Sequence, residues 1–248
     1  KQDCEARATA RWLAAHGPQY AHLKPVYLGD DLASRQPTCE AVRAIGANFL
    51  FTAKPSSHKI LYEWLDGADV PAFEQKIKQG ARFVTHRYRW LEAVPLRDGK
   101  DALIVNWLEI EIVDPSGKIT YRNSFVTDLP VNKGNVAELA ACGRSRWKIE
   151  NETFNTLKTK GYNLEHNFGH GKDQLSALLA TMNLIAFAMH TAADLVDAAW
   201  KAARAAVGTR KRFFEELRVI TTYLVFPTWA LLVETLTAGK PPPAVLGG

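Results

Sequence analysis

Cysteine is scarce in this chain. Only Cys4, Cys39 and Cys142 occur, far apart and with no C-x-x-C pair. An odd, scattered set argues against a disulfide framework and for a reducing, cytoplasmic setting. An initiator methionine and an apolar signal-peptide core are missing as well. The opening "KQDCEARATARWLAAHG" reads at once as the inside of an amphipathic helix. The expectation is therefore that the chain opens part-way into a longer protein. The most apolar stretch, "VITTYLVFPTWALLV" (219–233), has 15 residues, contains Pro227 and stops at Glu234. It falls short of the roughly 20 residues of a membrane helix, so a buried core helix and no membrane partner are expected. There is no internal repeat and no low-complexity segment, and the tail "GKPPPAVLGG" reads as disordered.

What is present is ample apolar material with a mild positive charge. Of 248 residues, 47% are apolar, enough for one large domain or two small ones. Lysine and arginine number 31 against 26 acidic residues, a formal +5. That excess permits a polyanionic partner without requiring one, since clustering matters more than the total.

Along the chain, residues 3–16 read as helix, "PVYLG" (25–29) as a short strand, 37–47 as a helix with Pro37 in its first turn, and "NFLFTAK" (48–54) as a second strand. Strands alternating with helices at this spacing predict an α/β core with parallel pairing. After a polar connection come three strand-like runs, 81–96, 102–114 and 118–129, joined by turns at "RDGK" and "DPSGK". They predict an antiparallel meander. From Asn135 onward the pattern is helical: the stretch after Cys142, then 173–208, then 210–226.

Two acidic positions stand out. Asp30 and Asp31 follow directly on a short apolar strand, and the C-terminal end of such a strand opens into the crevice where α/β sheets bind ligands. Equally, one of them can simply cap the following helix. Glu150 is the second position. Arg146 precedes it by four on one helix face, with Trp147 and Phe154 forming an adjoining apolar stripe fit to anchor the helix. An ordinary surface ion pair has the same spacing.

A resemblance bears on these alternatives. "RWKIENETFNTLK", then "GYNLEHNFGHG" and the apolar "LSALLATMNLIAFAMH", resembles the C-terminal half of bacterial insertion-sequence transposases of the DDE class. The similarity is to the group with a Tyr–Arg–Glu–Lys signature around the third acidic residue. "VYLGDDLASRQPTCEAVRAIGANFLFTAKPSSH" resembles the segment carrying the second acidic residue, so the likeness spans roughly residues 3 to 235. It implies an RNase H-like core (1–55) interrupted by a β-rich insertion (56–134) and completed by a helical part (135–237). It also implies a divalent metal, Mg²⁺ or Mn²⁺, held by acidic residues, and DNA as partner, with a homodimer in the DNA complex. Transferred by position, Asp30 is the second catalytic and metal-binding Asp, with Asp31 its rival, and Glu150 is the catalytic Glu, with Glu152 as fallback. Arg146 is the signature arginine. Arg144, Arg146, Lys148 and Lys158 would hold the DNA backbone through phosphate contacts.

The match departs from the signature in three places. Gly143 stands where the tyrosine belongs. The lysine position falls on Leu157, with Lys158 one residue late; either a local helix bulge repairs the offset or Lys158 serves a different phosphate. The first Asp has no counterpart, since only Asp3 and Glu5 precede Asp30. Other motifs point less clearly: His166 and His170 are four apart but lie among glycines, which favours a structural role over zinc. "RYRW" (87–90) and "TRKRFF" (209–214) mix basic and aromatic residues as DNA-binding surfaces do, and as solvated edges also do.

Overall fold

The computed structural model describes residues 4–166, 169 and 171–240. The chain forms two compact units, residues 1–146 and 147–248.

The first unit is a six-stranded mixed sheet with helices on it. Its elements run α1 (Glu5–Tyr20), β1 (Val26–Gly29), α2 (Gln36–Ala44), β2 (Asn48–Thr52), α3 (Lys59–Asp66), β3 (Ala72–Gln79), β4 (Arg82–Pro95), β5 (Ile104–Val113), β6 (Ile119–Thr127) and α4 (Val136–Ser145). The strand order is β1-β2-β6-β5-β4-β3. β1 and β2 pair in parallel, Val26 opposite Asn48, as the strand–helix–strand spacing predicts. The meander β4–β5–β6 is antiparallel and continues the same sheet, because β6 lies beside β2 with Leu50 opposite Thr127.

The sequence of β2 shows why it is central. Phe49 and Phe51 face one core with Leu13 of α1, Val42 of α2 and Leu61 of α3, while Leu50 faces a second with Phe125 and with Val136 and Ala140 of α4. A strand buried on both faces needs apolar residues at every position rather than at alternate ones. Each such fully buried side chain contributes about 1.5–3 kcal/mol. Gly143 belongs to this packing: a Cβ there would sit 2.7 Å from the Phe125 ring.

Two elements lie where only a polar connection was expected. α3 buries Leu61 and Leu65. β3, "AFEQKIKQ", pairs along its whole length with β4. It is an edge strand whose apolar alternation is reduced to Phe73 and Ile77, which is how edges avoid further pairing.

The second unit is helical: a π-helical turn (Ile149–Phe154), α5 (Asn155–Thr159), α6 (Leu175–Val196), α7 (Ala198–Val207), α8 (Arg210–Tyr223) and α9 (Trp229–Ala238). Trp200, Phe213, Val233 and Leu236 form its core. The helix expected over 173–208 breaks at Asp197, whose carboxylate accepts the Trp200 N–H at 3.0 Å and so starts α7. The run 219–233 is not one buried helix. The helix stops before Pro227, which restricts the residue ahead of it, and Tyr223 and Val225 are exposed while Leu232 and Val233 are buried. By length and composition alone, α6 is long and apolar enough to cross a membrane.

Candidate active site

Asp30 and Asp31 leave the end of β1 in a tight turn. Gly29 is required there: a Cβ would lie 2.5 Å from Ala33 Cβ and 2.8 Å from the Phe51 ring. Asp30 Oδ1 accepts the Leu32 N–H at 2.9 Å, and the Asp30 carbonyl accepts the Ala33 N–H at 3.1 Å. Neither aspartate caps α2. Its N-cap is Arg35, in extended conformation and without a side-chain bond.

The two carboxylates have different tasks. Asp31 accepts the Lys54 N–H at 2.7 Å and faces the Ser57 hydroxyl at 2.5 and 2.6 Å, which ties the loop after β1 to the loop after β2. Behind it lie Ser34 and His58, both buried, with Ser34 Oγ 2.6 Å from His58 Nε2. Burial pushes the His58 pKa down, against the Leu96 backbone contact and Asp31, which act upward. Asp31 is therefore held within the fold. Asp30 gives one oxygen to its own turn and borders a cavity of about 310 Å³ lined by Cys4, Ala6, Leu32 and Ala33.

Glu150 lies in the π turn. An α-helix advances about 100° per residue, whereas a turn with i→i+5 bonds advances only roughly 80–85°. The π turn thus absorbs one residue, and Lys158, eight positions on, returns to within about 20° of the Glu150 direction. Lys158 Nζ lies 2.7 Å from Glu165 Oε1. The change of winding also moves the apolar face. Trp147 and Phe154 are 47% and 41% exposed and do not anchor the helix; Leu157, fully buried, does.

The basic candidates divide between the units. The Arg144 guanidinium lies 4.6 Å over the Tyr121 ring in the first, where Arg146 closes the chain segment after α4. Lys148 and Lys158 belong to the second, with Glu150 and Glu152. "RYRW" falls on β4, where Arg87 pairs with Glu74 and Arg89 with Glu109. In "TRKRFF", Thr209 caps α8 and Phe213 is core. His166 is described and His170 lies outside the described residues.

Sequence reasoning overlooked two charged clusters. Glu109, 3% exposed, is held on β5 between Arg89 and Arg122. In the second unit Asp194 accepts from Trp200 Nε1 at 2.7 Å and Arg210 Nη2 at 2.8 Å, while Arg210 also donates to the Tyr162 hydroxyl at 3.0 Å. Both clusters join residues remote in sequence, and no local spacing announces them.

Carboxylate oxygens suit a hard cation such as Mg²⁺. Among the described residues, however, no group of three or more His, Cys, Asp or Glu side chains is placed to hold a metal. Asp30 belongs to the first unit and Glu150 to the second. No protein-family model matches the chain. No curated protein matches it either.

Proposed function

We propose that this chain is a portion of a DDE-class insertion-sequence transposase with an RNase H-like core, acting in metal-dependent cleavage and transfer of DNA strands. The observation that carries the reading is the π turn at Ile149–Phe154. It supports the reading because a turn of wider winding would bring Lys158 back toward the face of Glu150 despite its extra residue. π turns are costly irregularities that concentrate at functional sites. In this reading Asp30 and Glu150 are the carboxylates that would hold Mg²⁺ or Mn²⁺. The metal, when bound, activates the attacking oxygen and stabilises the leaving one. Asp31 fixes the loop that presents Asp30, and the basic residues near Glu150 hold the DNA backbone.

The experiment is metal-dependent cleavage of supercoiled plasmid. The chain extended by the segment encoded directly upstream should cut, and Glu150→Gln or Asp30→Asn should abolish cutting without unfolding the protein. Failure of the extended chain to cut, or cutting that survives Glu150→Gln, overturns the reading. The lack of a three-ligand group among the described residues favours a second reading for residues 1–248 alone, a DNA- or partner-binding piece without chemistry. Robust cleavage by the chain alone would exclude it.

A further inference from the structure

We infer that the cavity where α2 and α3 begin is an anion site for a nucleoside phosphate. It holds about 480 Å³, and its cationic lining is Arg35, Lys59 and Arg97. Two of these groups are fixed in advance. Arg35 Nη1 donates to the Ser57 carbonyl at 3.0 Å, and Arg97 Nε donates to Gln36 Oε1 at 2.8 Å. Arg97 is otherwise engaged, with Nη1 on the Asp98 carbonyl and Nη2 on the Asp101 carboxylate. Arg35 and Lys59 differ. Among the described residues neither pairs with a carboxylate, and a guanidinium with one bond made keeps four N–H donors. The Ser56 hydroxyl borders the same space, whereas that of Ser57 is taken by Asp31, and α3 starts at Lys59 without a side-chain cap. Asp98 also lines the cavity and opposes an anion, but it is outnumbered.

Size and wall chemistry narrow the ligand. A bare phosphate would leave most of this volume empty, whereas about 300–1,000 Å³ is the range of sites for small molecules. Pro37, Ile60 and Leu96 supply an apolar wall for a sugar and the face of a base. The group recognised is thus a phosphomonoester on a nucleoside. A free nucleotide carries that chemistry, and so does the 5′ end of a DNA strand. Arg35 also lines the cavity that Asp30 borders, but the anion site rests on its own lining and stands whether or not the chain cuts DNA.

Calorimetric titration of the full chain with deoxyadenosine 5′-monophosphate, deoxyadenosine and inorganic phosphate tests this. The monophosphate should bind at least about tenfold more tightly than either other probe, because only it fills both the cationic and the apolar part. Arg35→Gln/Lys59→Gln should weaken it by about tenfold or more, whereas Lys76→Gln/Lys78→Gln on β3, with the same loss of charge, should not. Lys59→Gln alone, at a side chain outside any ion pair, keeps the test open should the double variant fold badly. Short single strands separate the sources: preference for a 5′-phosphate over a 5′-hydroxyl strand identifies a strand end, and equal binding identifies a free nucleotide. Equal affinity for nucleotide and nucleoside, or equal losses in both pairs of variants, overturns the proposal.

Discussion

The Ser57 hydroxyl lies 2.5 Å from Oδ1 and 2.6 Å from Oδ2 of Asp31, and this contact joins the loops that follow the two parallel strands. Asp31 is tied into the fold, whereas Asp30 gives one oxygen to its own exposed turn.

Stability should separate the adjacent aspartates. Asp31→Ala removes the acceptor of the Lys54 N–H and leaves the Ser57 hydroxyl only the Lys54 carbonyl at 3.1 Å, so the loop-to-loop tie is lost at a cost of about 1–3 kcal/mol. Asp30→Ala removes one bond within an exposed turn and should stay within about 0.5 kcal/mol. Urea unfolding at constant m-value measures both. Equal losses would mean that Asp30 is as structural as Asp31.

Much of the sheet was legible in the sequence. β2, with Phe49, Leu50 and Phe51 in a row, and the alternating β5 announce strands because burial sets their pattern directly. β3 was hidden because an edge strand keeps polar side chains on its open face. α3 was readable from Ile60, Leu61, Trp64 and Leu65, whose spacing marks one helix face, but it sits behind a polar loop. The division of labour between Asp30 and Asp31 was not readable, since the partners of Asp31 lie 23 and 26 residues away. What the winding of the π turn does to Trp147 and Phe154 escaped a reading based on uniform 100° steps.

Glu109 should matter to the first unit more than its surface counterparts do. Its carboxylate is buried, with Arg122 Nε at 2.9 Å and Arg89 alongside. Removing one member of a buried ion pair costs about 3–5 kcal/mol. Here the arginine side chains are 44% and 55% exposed and can rehydrate, so Glu109→Gln should cost about 1–3 kcal/mol. Glu74→Gln, at the exposed Arg87 pair, should cost less than about 0.5 kcal/mol. Thermal unfolding of the two variants compares them, and a neutral Glu109→Gln would show the cluster to be dispensable.

Acid should loosen the second unit through His190. Its ring is stacked on Trp200 with centroids 5.0 Å apart, and its Nδ1 lies 2.8 Å from the Tyr162 hydroxyl. That hydroxyl accepts from Arg210 at 3.0 Å, and its own proton is available to His190 Nδ1 when the imidazole is neutral. Burial, then Arg210, push the imidazole pKa below its ordinary 6.5, outweighing Asp194. The folded chain therefore binds a proton less readily than the unfolded one. Above pH 6.5 the contribution is complete; as pH falls from there towards the folded-state pKa, stability declines. His58 and His86 are shifted the same way by burial. Asp101 and Asp114, held below 3.8, act only in a lower window. Melting temperatures between pH 7 and 5 should fall for the native chain and fall less for His190→Gln. A parallel decline in the two would show that His190 is not responsible.

Binding of duplex DNA should depend steeply on salt if the basic residues hold phosphates. Each phosphate neutralised releases counterions and adds a slope of about −0.9 to log K against log salt concentration. Arg144 and Lys158 are the informative pair, because each already has a local contact, with Tyr121 and with Glu165. A lysine that gives up an exposed carboxylate for a phosphate loses less than about 1 kcal/mol of existing pairing. Lys158→Gln should therefore weaken binding uniformly across sequences and make the slope shallower by about 0.9. Arg144→Gln should do the same, with an added small loss of stability from the ring contact. Titrations over a salt series, followed by fluorescence anisotropy with two unrelated duplexes, provide the slopes. Binding that ignores ionic strength, or slopes unchanged in both variants, would remove these residues from the DNA surface.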